Sequence, residues 1–314
     1  MAITRENAKA PAASNAVRET RPADGRRWAV YLRLGRISNL PTVWTNVLAG
    51  ALLTGEPLDG RTLGVLLVSL SLFYVGGMYL NDAFDRHIDA RERPERPIPS
   101  GVTSATEVFG IGFGMLTAAV LLLGVLAFRT TPVNWAPVLS GIVLAATIVY
   151  YDAVHKRDPL SPLVMGACRM LVYVTAALAA AGTIGFPVIG GALVLLSYLI
   201  GLTYVAKQET LAEYRNLWPL LFLFAPFVYT APGALRSGVG LVLWVGFLAW
   251  VGYAISFLLR PGRGNIPRAV IAFIAGISLL DGLLVVVAGF PRAAGLAVVG
   301  FVLTLIGQRW VKGT

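Results

Sequence analysis

The chain has 314 residues, 56% of them hydrophobic and only 13% charged. A water-soluble domain carries about twice that share of charge, so the composition excludes one and predicts an integral membrane protein surrounded by membrane lipids. The formal net charge of +10 does not make it a nucleic-acid-binding chain, because the basic residues stand between apolar runs and at the N-terminus, with no basic groove interleaved with aromatics.

A single cysteine, Cys168, excludes an intrachain disulfide framework and a cysteine-based metal site, and His87 and His155 alone are too few for a histidine-rich one. Residues 1–27 are polar, rich in Ala and Arg and without apolar periodicity. They read as a disordered basic cytoplasmic tail lacking the apolar core of a cleaved signal peptide. Residues 28–314 read as one transmembrane domain. Apolar runs near the roughly 20 residues that cross a bilayer fall at 38–55, 62–81, 106–128, 135–153, 161–183, 187–206, 216–233, 238–259, 266–289 and 292–309. Pro219, Pro226 and Pro232 interrupt the seventh, and only residues 289–292 separate the last two.

The basic residues test this map independently. With the tail inside, the inner segments hold Arg86, Arg91, Arg93 and Arg96, then Lys156 and Arg157, Lys207 and Arg215, and Arg260, Arg263 and Arg268, besides both termini. The outer segments hold only Arg61, Arg129, Arg236 and Arg292. That bias is the positive-inside pattern, and it favours an even number of spans with both termini cytoplasmic. Seven acids, Asp82, Asp85, Asp89, Asp152, Asp158, Glu209 and Glu213, fall at inner ends of even-numbered spans, so the charged chemistry gathers at one membrane face.

The second span runs into YLNDAFDRHIDARERPERPIPSG from Tyr79, where Asp82, Asp85 and Asp89 stand at spacings of three and four. On a helix these carboxylates share a face and repel one another unless something positive lies among them. A hard divalent cation such as Mg²⁺ suits all-oxygen ligands and bridges carboxylates to phosphates; a plain solvated helix end is the bland alternative. Glu209 and Glu213 repeat the arrangement at i, i+4 after the sixth span, although Lys207 and Arg215 are close enough to balance them as an ordinary helix end. Two such faces, opposed across a cavity, would hold metal ions and a diphosphate. Lys156 and Arg157, ending the fourth span, suit phosphate oxygens but serve equally as positive-inside anchors. Arg169 lies inside the fifth span, where an unpaired guanidinium is costly, so it is expected to meet an acid or the polar cavity. Asp281 in the ninth span is a comparable oddity, and Asn39 and Asn46 in the first either line the cavity or join helices. Tyr79, Tyr150, Tyr151, Tyr173 and Tyr204 near the basic face are candidates for stabilising a cation, or are interfacial aromatics.

NDAFDRHID followed by RPIPSG resembles the signature of the UbiA superfamily of intramembrane prenyltransferases, and the resemblance covers about 35 to 312. The run YDAVHKRDPLSPLVMGACRMLVY and the later YVAKQE are similar to its EboC-like branch. The resemblance implies an all-α fold, a polytopic transmembrane helical bundle around a central membrane-embedded cavity. It has typically nine spans, one fewer than counted here. It implies a Mg²⁺-dependent prenyltransferase that moves an isoprenoid group from a polyprenyl diphosphate to an acceptor. Asp82, Asp85 and Asp89 then form the first metal site, with Asp82, Asp85 and Lys156 catalytic. Asn81 and Lys156 are carried over to diphosphate binding, with Arg157 and Arg169 added as candidates from their positions. Glu209 and Glu213 stand where the family usually has a D-x-x-x-D motif, with the same spacing and one more methylene. Two other classes fit a polytopic chain with buried charges: a transporter or lipid carrier, and a catalytically silent relative that keeps the scaffold.

Overall fold

The computed structural model describes residues 27–207, 218–260 and 265–311, and these form eleven α-helices joined by short turns, with no strand among them. Glu209, Glu213, Arg215 and the expected N-terminal tail through residue 26 lie outside the described residues.

Helix α1 (Arg27–Leu34) is followed by Arg36, a non-glycine residue in the left-handed region at φ 43°. A 3-10 turn (Ile37–Asn39) then leads into α2 (Leu40–Leu52), with Pro41 in the first turn where its missing N–H costs nothing. Asp59 caps α3 (Gly60–Glu92) by accepting from the N–H groups of Arg61 and Thr62, both at 3.0 Å. The remaining helices are α4 (Ala105–Ala127), α5 (Ala136–Val154), α6 (Ser161–Ala181), α7 (Phe186–Lys207), α8 (Ala225–Ala234), α9 (Gly238–Leu258), α10 (Asn265–Val287) and α11 (Ala294–Trp310).

Every predicted span contains a helix, but among the described residues only seven, α3 to α7, α9 and α10, are long and apolar enough to cross a membrane alone. Two of the other three are cut short by identifiable residues. Asn39 and Pro41 start α2 late, and the proline-rich seventh segment divides into a 3-10 stretch (Trp218–Phe224) and α8, with Pro232 inside the helix. In the opposite sense, α3 does not stop at residue 81 but carries its acidic face to Glu92.

Helix α10 is buried nearly all round and forms the centre of one packed cluster with α7, α8 and α9; α3 and α4 anchor a second with α2 and α5. By contrast α9 and α4 leave large apolar side chains such as Val242, Leu241, Leu121 and Val125 outward, as lipid-facing helices do. Between the two clusters lies a cavity of about 290 Å³, walled by α2, α3, α5, α6, α7 and α10.

Candidate active site

The last three turns of α3 stand behind the polar end of this cavity, while Leu70 to Met78 of the same helix line it. Asn81, Asp82, Asp85 and Asp89 are all buried, between 3% and 9% exposed, and the helix puts them on one inward face as the spacing predicts. Their negative charge is met from three directions. Arg96, in the loop after α3, places Nη1 2.8 Å from Asp89 Oδ2 and 3.3 Å from Asp82 Oδ1. Arg36 places Nη2 3.5 Å from Asp82 Oδ1 and 3.4 Å from Asn81 Oδ1. Beyond the end of α5, Lys156 Nζ lies 3.7 Å and His155 Nε2 3.5 Å from Asp85 Oδ2.

Local backbone explains each reach. The loop turns back because the N–H groups of Arg96 and Ser100 bond to the carbonyls of Arg93 and Arg96, and it closes at Gly101, whose φ of 76° suits glycine. Arg36 turns towards α3 from its left-handed position. Burial alone would lower the pKa of its guanidinium, but Asp82, Tyr74, Tyr151 and Asp152 together outweigh that and raise it, so Arg36 stays charged.

Arg36, Arg93 and Arg96 line the polar end of the cavity together with Tyr151 and Asp152, while Leu70, Phe73, Leu144, Val172 and Ile277 make the remainder apolar. The aspartates stand one layer behind these arginines. Asp152 accepts a hydrogen bond from Asn81 Nδ2 at 3.1 Å. Arg169 also reaches the cavity, as expected, but no acid among the described residues pairs with it directly. It donates to Asn46 Oδ1 at 2.8 Å and Thr42 Oγ1 at 3.1 Å, and lies over the Tyr74 ring at 5.3 Å. Asn46 in turn donates to Asp281, at 2.9 and 3.0 Å, and Asp281 accepts from Thr45 and Tyr173 as well. This fully buried acid is therefore a knot joining α2, α6 and α10.

Asn39 lines the cavity, whereas Asn46 is buried within that knot. Arg157 is exposed and does not line the cavity. Of the tyrosines named from sequence, only Tyr151 is a cavity residue; Tyr79 stacks on Tyr31, Tyr173 bonds to Asp281 and Tyr150 is exposed. Sequence reasoning missed His155, Arg36 and Tyr74 as site residues. Adjacency to Lys156 was a signal for His155, but nothing local marked the other two.

Among the described residues no three acidic, histidine or cysteine side chains converge on one point as a ready-made metal cage. The donor set is nevertheless of the right kind. It offers carboxylate oxygens only, and Mg²⁺ commonly takes one or two carboxylates and completes its shell with phosphate oxygens and water.

The sequence profile of the UbiA prenyltransferase family matches residues 42–277. Digeranylgeranylglyceryl phosphate synthase of Methanopyrus kandleri is 38% identical over 96 residues, which cover 28% of this chain and 34% of that one. Chloroplastic chlorophyll synthase of Avena sativa is 29% identical over 166 residues, 48% of this chain and 42% of that one. The chain thus spans less than half the length of either relative. Among solved structures, one described as concerning digeranylgeranylglyceryl phosphate synthase in membranes superposes with a TM-score of 0.59 at 19% identity, covering 85% of this chain and 99% of the other. The apo structure of a UbiA homolog from Aeropyrum pernix K1 gives 0.55 at 15%, covering 84% and 96%. Identities this low speak to the fold alone. The profile match extends over most of the membrane domain and includes the whole acidic end of α3, so this integral membrane chain belongs to the UbiA prenyltransferase family.

Proposed function

We propose that the protein is a Mg²⁺-dependent prenyltransferase that takes a polyprenyl diphosphate as donor and works from the cytoplasmic face. The observation that carries this reading is the buried, cation-matched acidic face of α3 at the polar end of an otherwise apolar cavity. A long isoprenoid carrying a diphosphate has the same two-part character.

Asp82, Asp85 and Asp89 would hold magnesium, with Glu209 and Glu213 as the proposed second acidic pair. When bound, the metal neutralises diphosphate charge and makes it a better leaving group. Arg36, Arg96 and Lys156 supply fixed positive charge beside the same phosphates, and Asn81 offers its amide. Such preorganised charge counts most where bond cleavage develops it away from water. The apolar wall, including Leu70, Phe73 and Val172, receives the isoprenoid and keeps water from the allylic cation. Tyr74 and Tyr151 present aromatic rings along the same wall.

Purified protein in lipid nanodiscs, given Mg²⁺, radiolabelled geranylgeranyl diphosphate and a lipid extract of the source cells, is expected to release diphosphate and move label into a new lipid. Asp82→Ala and Asp85→Ala should each reduce that transfer by about 100-fold or more. Full activity in either variant would sink the assignment. Movement of the intact donor across vesicle membranes without product would favour a lipid carrier instead.

A further inference from the structure

On α5 the inward residues follow a helical stripe, Ser140, Gly141, Leu144, Ile148 and Asp152. The stripe that packs the helix therefore ends in a carboxylate. Asp152 is only 4% exposed and lines the cavity where polar wall passes into apolar wall. Its Oδ1 accepts from Asn81 Nδ2, but its Oδ2 is buried with no hydrogen-bond partner among the described residues. An orphaned carboxylate oxygen in a membrane-embedded wall is expensive, and such groups persist where they have work to do. The side chains of Arg36, Arg96, Lys156 and His155 do not satisfy it. Arg36 and Arg96 bond to the α3 acids, and Lys156 and His155 face Asp85.

We infer that Asp152 is the proton acceptor of the transfer step, taking the proton that the acceptor loses as its new bond to the isoprenoid forms. The inference rests on the prenyltransferase reading above. Its geometry is that of a general base held by a partner. Asn81 ties Oδ1 and so aims Oδ2, and Asn81 also touches Arg36 on the side of the aspartate cluster. Asp152 thus stands one side chain from the proposed diphosphate site and one helical turn from Ile148 of the apolar wall. The step balances. The C1–O bond of the donor breaks and its electron pair leaves with the diphosphate. An electron pair of the acceptor, from a hydroxyl oxygen or an electron-rich ring carbon, closes the new bond to C1. The proton displaced from that acceptor atom passes to Oδ2 of Asp152 and later to water.

The test separates donor binding from transfer. In nanodiscs, donor affinity is measured with geranylgeranyl thiolodiphosphate, which resists cleavage, and turnover with radiolabelled geranylgeranyl diphosphate and the cell lipid extract. Asp152→Asn keeps the shape of the side chain and should leave analogue affinity unchanged while slowing transfer about 100-fold. Asp152→Glu, which keeps a base, should recover part of that loss. Wild-type turnover in Asp152→Asn would overturn the inference. So would parallel loss of analogue affinity and turnover, since Asp152 would then support donor binding, or no recovery at all in a folded, analogue-binding Asp152→Glu. Absence of transfer by the wild-type protein under the same conditions would remove the prenyltransferase reading itself, and this inference with it.

Discussion

Arg96 joins Asp82 and Asp89 through one guanidinium nitrogen, and Asp89 is only 3% exposed. Removing one partner of a buried pair leaves the other charge uncompensated, which typically costs about 3–5 kcal/mol. Arg96→Ala is therefore expected to lower the thermal unfolding temperature in detergent markedly. Adding Asp89→Asn to it should recover much of the loss, because the stranded charge is then gone; equal instability of the single and double variants would show that the pair is not what holds the loop. The aspartates were legible in the sequence because carboxylates at helical spacing, directly after an apolar run, repel one another unless cations gather among them. Those cations were not equally legible. Arg96 heads the RPIPSG motif, but Arg36 looks like any positive-inside residue, and its reach to Asp82 depends on a left-handed backbone turn that local sequence does not announce. Asp152 was visible as an inner acid, but its orphaned oxygen exists only once α3 and α5 are packed together.

Helix α2 approaches α6 closely at Gly50, and this contact sets the distance from Thr42 and Asn46 to Arg169. A Cβ on Gly50 would lie 2.6 Å from Tyr173 Cα and 2.7 Å from its carbonyl oxygen, backbone atoms that no rotamer change can move aside. Gly50→Ala should therefore cost about 1–3 kcal/mol, read as a lower unfolding temperature. Gly114→Ala on α4, where a Cβ meets nothing within 4 Å, should be neutral or slightly stabilising. If the two behave alike, close packing at Gly50 is not limiting. At this scale hydropathy located every helix but α1, and it misjudged several lengths. Hydropathy cannot see that DRHIDARE continues a helix after its apolar part has ended, nor that Pro41 and the three prolines near 219–232 shorten their segments.

Across the whole molecule, helix length decides where the chemistry stands relative to the bilayer. At 1.5 Å per residue the 33 residues of α3 extend about 50 Å, against a hydrocarbon core of about 30 Å. Asp82 lies roughly 33 Å from the start of α3 by the same rise, so with Asp59 near one interface the acidic face emerges at the other. We propose, from the basic residues of the inner segments, that this second interface faces the cytoplasm. Single cysteines test the orientation once Cys168 is replaced by Ser. Arg61→Cys and Arg129→Cys, exposed at the far ends of α3 and α4, should react with a membrane-impermeant maleimide on intact spheroplasts. Arg91→Cys and Arg157→Cys, exposed beside the acidic cluster, should react only after permeabilisation. The opposite pattern would put the cavity mouth outside, where a cytoplasmic pool of diphosphate could not reach it. Labelling of all four from outside would mean that α3 does not cross the membrane, and the two-interface placement of the site would fail with it.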